Sequence, residues 1–129
     1  MDITPLIPGD RQVIDSYGPG RFRISGEEHA GGVIVFPERT LAWSVTNFAD
    51  VTLERLEAVI VAEPAVEVLL IGCGARMQMP PPALREALRA RGISCDVMDT
   101  GAACRTYNIL LSEARRVAAA LIPMPVSVT

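Results

Sequence analysis

Lysine is missing from this sequence: all 12 of its Lys+Arg positions are arginine. That excludes Schiff-base chemistry and the lysine of a phosphate-binding loop. Histidine is almost absent as well, with His29 alone, so no metal centre and no nucleophile with an adjacent histidine base can be read. Cysteine is sparse: Cys73, Cys95 and Cys104 form an odd, widely spaced set that fits a reducing compartment better than a disulfide framework or a zinc site. A basic excess is also lacking. The net charge of -3 has the wrong sign for a protein that displaces phosphate counterions, so no nucleic-acid partner is expected. No apolar run approaches the roughly 18 residues of a spanning helix, and the opening Met1-Asp2-Ile3-Thr4-Pro5 has no signal-peptide pattern. A cytoplasmic protein without membrane insertion, metal or cofactor is expected.

What is present suits a core. With 129 residues and half of them hydrophobic, the chain reads as a single α/β domain spanning residues 1–129. About two-thirds of the unfolded surface can be buried at this length, so no staple is needed. An N-terminal part, about residues 5–45, breaks often at Gly and Pro and reads as a meander of short strands. Within it Phe22 and Ile24 alternate with Arg21, Arg23 and Ser25, the period of two of a half-buried sheet. His29 to Phe36 reads as one further strand and Leu41 to Val45 as the next, with Pro37 at the turn.

The period then becomes helical: Leu53, Leu56, Val59 and Ile60 predict a helix over about 52–62, capped by Thr52 or Asp50 and stopped before Pro64. Val66 to Gly72 is a short apolar run of the kind buried on both faces of a parallel sheet. The run Pro80-Pro81-Pro82 to Gly92 carries proline at its start and glycine at its end, the asymmetry of a helix. Ile93 to Met98 follows as a strand, Asp99-Thr100-Gly101 opens a helix over about 102–114, and Val117 to Pro123 returns as a last strand.

Ligands in open α/β sheets bind at the carboxyl ends of strands. Gly72, Cys73, Gly74 and Arg76 follow one such end, and Asp99, Thr100, Cys104 and Arg105 follow another. If the two strands are neighbours, these residues line a crevice where helix amides and two guanidinium groups favour a small anion. The same residues are also what a tight turn and a capped helix start require. Gly72-Cys73-Gly74 is no dinucleotide fingerprint, because Met77 occupies the third glycine position. Cys104, beside Arg105 and near a helix start, has surroundings that lower a thiol's pKa, and Cys73 is a candidate to pair with it; both equally suit small core residues. Arg85, Arg89 and Arg91, with Arg115 and Arg116, form candidate basic ridges for protein docking or plain solvated surface. Met77, Met79 and Pro80 to Pro82 make an adaptable apolar loop.

Leu70-Ile71-Gly72-Cys73-Gly74, Pro81-Pro82-Ala83-Leu84-Arg85, Arg91-Gly92-Ile93 and the run from Val97 to Leu121 form a recognisable series. Its most specific part is Met98-Asp99-Thr100 with Arg105-Thr106-Tyr107-Asn108. The chain resembles, from about Gly31 to Ile122, the small bacterial and archaeal Mth938-like family that includes mitochondrial complex I assembly factor 3. The resemblance implies a three-layer α/β fold. Its central mixed sheet would have a last strand antiparallel to the others, with helices on one side and an added β-hairpin layer. It also implies no established catalytic activity, the mitochondrial member acting by binding proteins during respiratory complex assembly. Departures are Cys73, where the family commonly has Thr, and Ala114, where it commonly has Gly.

The resulting expectation is a non-enzymatic protein-binding assembly or biogenesis factor with no catalytic residues, reaching the inner membrane only through protein partners. A monomer is preferred to a homodimer. The alternative is a small-anion-binding domain or enzyme using the crevice.

Overall fold

The computed structural model describes residues 11–126. The part of the N-terminal reading that falls on residues 5–10 lies outside them. Eight strands follow the chain as β1 (Ile14–Gly18), β2 (Arg21–Ile24), β3 (Glu27–Ala30), β4 (Gly32–Val35), β5 (Thr40–Trp43), β6 (Val68–Gly72), β7 (Ser94–Met98) and β8 (Val117–Leu121). The helices are α1 (Glu57–Ile60), α2 (Pro82–Arg89) and α3 (Thr100–Ser112). Strands β1-β2-β3 form an antiparallel meander; β5-β4-β8-β6-β7 form the main sheet.

The mixed α/β class is as expected, with two corrections of arrangement. First, β8 is not antiparallel to the other strands: it pairs parallel with β6, which pairs parallel with β7. The reversed strand is β4, antiparallel to both β5 and β8. A helical crossover returns the chain in the same direction, and α3 makes that crossover between β7 and β8. Second, the helices do not share one side. Leu84 and Leu88 of α2 pack with Leu69, Ile71 and Val97, whereas Tyr107 and Leu111 of α3 pack with Val68, Leu70 and Leu121. The physical reason is handedness: α2 moves the chain from β6 outward to β7, α3 moves it back across β6 to β8. Crossovers of one hand in opposite directions must use opposite faces. The meander joins α3 on its face through Ile14, Phe22 and Ile24.

Local chemistry sets the boundaries. The expected strand from His29 to Phe36 is two strands, because Gly31 takes a left-handed φ of 82° and its N–H donates to the Gly20 carbonyl. The helix expected over 52–62 contracts to a 3-10 turn, Glu54–Leu56, followed by the single turn of α1. Thr52 Oγ1 does accept from Arg55 N at 3.3 Å, but the Trp43 indole donates to the Arg55 carbonyl at 2.9 Å and competes for the helical ladder. In α3 the helix starts two residues earlier than expected, with Asp99 as its cap accepting from Ala102 N at 2.9 Å. It also ends earlier, at Ser112, with Ala114 left-handed at φ 60°.

Asn108 of α3 accepts from Ile14 N at 3.0 Å and donates to Ile14 O at 2.8 Å, so it pairs with the outer edge of β1 as a strand would. Tyr107 Oη donates to Gln12 O at 2.9 Å. These bonds hold the meander on α3 and give the molecule its third layer.

Candidate functional site

The parallel strands β6, β7 and β8 end at one rim of the main sheet, and the expected crevice residues collect there. Thr100, the first residue of α3, is completely buried. Its hydroxyl donates to Ile122 O at 2.7 Å and accepts from Gly74 N at 2.9 Å, while Thr100 N donates to Gly74 O at 2.9 Å. Ile122 N donates in turn to Gly72 O at 2.9 Å, so one hydroxyl ties the ends of β6 and β8 to the start of α3. The fit is close. A Cβ on Gly72 would meet Thr100 Cα and Oγ1 and Leu121 Cδ2, each at 3.0 Å.

The structure therefore brings Gly72, Cys73, Gly74, Asp99 and Thr100 together as a brace, and their polar groups face one another. Amides of the first turn of α3 already have protein partners: Ala102 N has Asp99 Oδ1, and Thr100 N has Gly74 O. A side chain at Gly101 would collide with Tyr17 Oη, so the meander covers that position. Arg76 and Arg105 are exposed at the outside of the brace.

The two thiols do not meet. Cys73 belongs to the core on the α2 side of the sheet and Cys104 to the core on the α3 side. Burial outweighs the favourable charge of Arg105 and pushes the Cys104 thiol up to about 12, the reverse of the lowering that its helix position suggests. Burial likewise raises Cys95 to about 11. Cys73 Sγ lies 3.0 Å from Arg76 O and 3.2 Å from Met98 O, pinning the loop after β6. A threonine hydroxyl at this position could bond to the same carbonyls.

A second polar cluster is not readable from the sequence. Glu38, just after the Pro37 turn, accepts from Arg116 Nη1 at 2.7 Å and from Arg11 Nη1 at 2.8 Å. The paired guanidinium of Arg116 is the main cause holding the Glu38 carboxyl below its ordinary 4.5. The pair joins the segment before β1 to the start of β8, beside a cavity of about 290 Å³ lined by Arg11, Leu111, Arg115 and Arg116. The doublet Arg115-Arg116 was the available signal, but only the fold brings Glu38 to it from 78 positions away. Arg116 is thus an ion-pair partner outside any helix, whereas Arg85 and Arg89 do lie along α2. Among the described residues, no helix is long and apolar enough to cross a membrane.

A five-stranded mixed sheet with helices on both faces, a meander clasped to α3 and a braced strand rim define an α/β domain of the Mth938-like class. The solution structure of such a domain from Bordetella pertussis superposes with a TM-score of 0.80 at 30% identity, covering 99% of this chain and 96% of that one. The chain belongs to the family described as protein of unknown function (DUF498/DUF598), whose pattern matches residues 14–122. It is 45% identical over 112 residues to an uncharacterized protein of Rhodobacter capsulatus, covering 87% of this chain and 85% of that protein. It is 43% identical over 113 residues to the NADH dehydrogenase [ubiquinone] 1 alpha subcomplex assembly factor 3 of Danio rerio. That match covers 88% of this chain but 65% of the relative, so the chain spans a little under two-thirds of the relative's length.

Proposed function

We propose that this chain is a protein-binding factor in the assembly of a respiratory NADH dehydrogenase, acting without catalysis. It works as a single-domain monomer in the cytoplasm and reaches the inner membrane through its partners. The observation that carries this reading is the 43% identity, over 88% of the chain, to a protein named as an assembly factor of that enzyme. The braced rim supports it, because the groups that would greet a substrate at the strand ends are bonded to one another.

The test is deletion of the gene, followed by native electrophoresis of membranes and assay of NADH:quinone oxidoreductase activity. Assembled enzyme should fall and return with the wild-type gene; normal enzyme in the deletion strain refutes the reading. A second reading, a small-anion site at the rim, draws on the exposed Arg76 and Arg105. It requires a saturable rise in Tm with inorganic phosphate that Arg105→Ala abolishes.

A further inference from the structure

Among the described residues the two sheets leave four strand edges, and these differ in what borders them. The outer edge of β1 is taken by Asn108, and β3 presents Glu27 and Glu28, charges that discourage pairing. A hollow beside the end of β5 is bordered by Asp50, Glu54 and Arg55. The edge of β7 is different. Among the described residues β7 pairs with β6 alone. Ser94 N donates to Glu67 O and Met98 O accepts from Cys73 N, so residues 94, 96 and 98 turn their main chain toward β6. By alternation, the N–H and C=O groups of Cys95 and Val97 face outward.

That edge is flanked by cations. Arg85 and Arg89, one helical turn apart on α2, border a groove of about 170 Å³ with Ile93, Ser94, Cys95 and Asp96. The groove continues past Gly92 into a hollow of about 330 Å³ that shares Arg89, Ile93 and Ser94. Neither arginine is in an ion pair among the described residues. The two faces of the strand carry different chemistry. Cys95 and Val97 lie on the α2 face, where the arginines are, and Asp96 lies on the other, exposed. A strand laid along β7 would therefore meet positive charge with every second side chain and Ser94 and Asp96 with the rest.

We propose that an extended acidic segment of a partner protein adds to the free edge of β7. Its main chain pairs with Cys95 and Val97, and carboxylates on alternate residues reach Arg85 and Arg89. This rests on the protein-binding reading above and names the surface and the chemistry of the partner. Main-chain pairing supplies the affinity and the arginines the choice of sequence. A second copy of the chain fits less well, because pairing β7 antiparallel with Cys95 opposite Val97 sets two Asp96 carboxylates directly opposite each other.

The probe is a short peptide alternating Thr and Glu, titrated into the labelled full chain by NMR. The expected result is saturable binding, with the largest amide shifts at Cys95 and Val97. The double variant Arg85→Glu/Arg89→Glu, both exposed positions whose loss leaves Leu84 and Leu88 in place, should keep its Tm and weaken binding about tenfold. Methylating the peptide's backbone nitrogens should abolish binding. Shifts centred elsewhere, binding that survives methylation, or no binding would each overturn the proposal. Self-association in ultracentrifugation that the double variant removes would assign the edge to a second copy instead. If the double variant restores enzyme assembly in the deletion strain as well as the wild-type gene does, the assembly reading stands and the β7 proposal falls.

Discussion

Replacing Thr100 with valine preserves the shape of the side chain and deletes its hydroxyl. Thr100 is fully buried, and two main-chain groups depend on it: Ile122 O, at 2.7 Å, and Gly74 N, at 2.9 Å. Both lose their partner at a buried position, and an orphaned buried group costs about 1–3 kcal/mol. The losses share one site and do not fully add, so the expected destabilisation of Thr100→Val is about 3 kcal/mol. With a urea m-value of about 1.5 kcal/mol/M, the midpoint should fall by about 2 M at unchanged slope. The corresponding fall in Tm is on the order of 10 °C. Thr100→Ser keeps the hydroxyl and removes a methyl, and should cost about 1 kcal/mol. Urea denaturation of the three proteins decides the matter. A serine variant weaker than the valine variant, or a valine variant within about 1 kcal/mol of wild type, would refute the assignment of the rim to a hydrogen-bonded brace.

Ala114 holds a left-handed φ of 60°, a region unfavourable to a Cβ, so Ala114→Gly should stabilise by about 0.5–1 kcal/mol and raise Tm by a few degrees in calorimetry. Glu38 has a pKa lowered chiefly by its bond to Arg116, so its contribution is present above the ordinary 4.5 and is lost as pH falls through the lowered value. Because Glu38 and Arg11 are 43% and 34% exposed, Glu38→Gln should cost about 1 kcal/mol or less at neutral pH. In denaturation curves across the acid range, the gap between wild type and variant should close as pH drops below 4.5.

Much of the fold is legible because its signals are local. Proline at the start of α2 and the left-handed Gly92 after it state both ends of that helix, and the unbroken apolar run Val68–Gly72 states a strand buried on both faces. The alternation of Phe22 and Ile24 with Arg21 and Arg23 matches the observed burial of β2 residue by residue. What sequence pattern alone misplaces depends on distant partners. The turn at 54–60 is short because Trp43 takes the Arg55 carbonyl, and α3 changes face because β8 inserts between β4 and β6. At the rim the right residues were legible as a group, since strand ends and helix caps are local; that Thr100 would close it depends on Ile122, 22 positions away. Cys104 shows the same limit: its neighbour Arg105 is visible in sequence, while the burial that dominates its titration is a property of the packed α3 face.

The position of β8 has a consequence for how the protein is made. Among the described residues it is the last of the eight strands and the middle of the five in the main sheet, bonded to β4 on one side and β6 on the other. During synthesis the pairs β4–β5 and β6–β7 emerge first, each with one naked inner edge, and neither can be joined to the other until the small residues Ala118, Ala119 and Ala120 slide between them. The nascent chain must therefore keep two sticky edges apart from other chains until Val117–Leu121 has been made. A truncation that removes only β8 would divide the sheet in two, and protection of half-made molecules becomes a requirement written into the strand order.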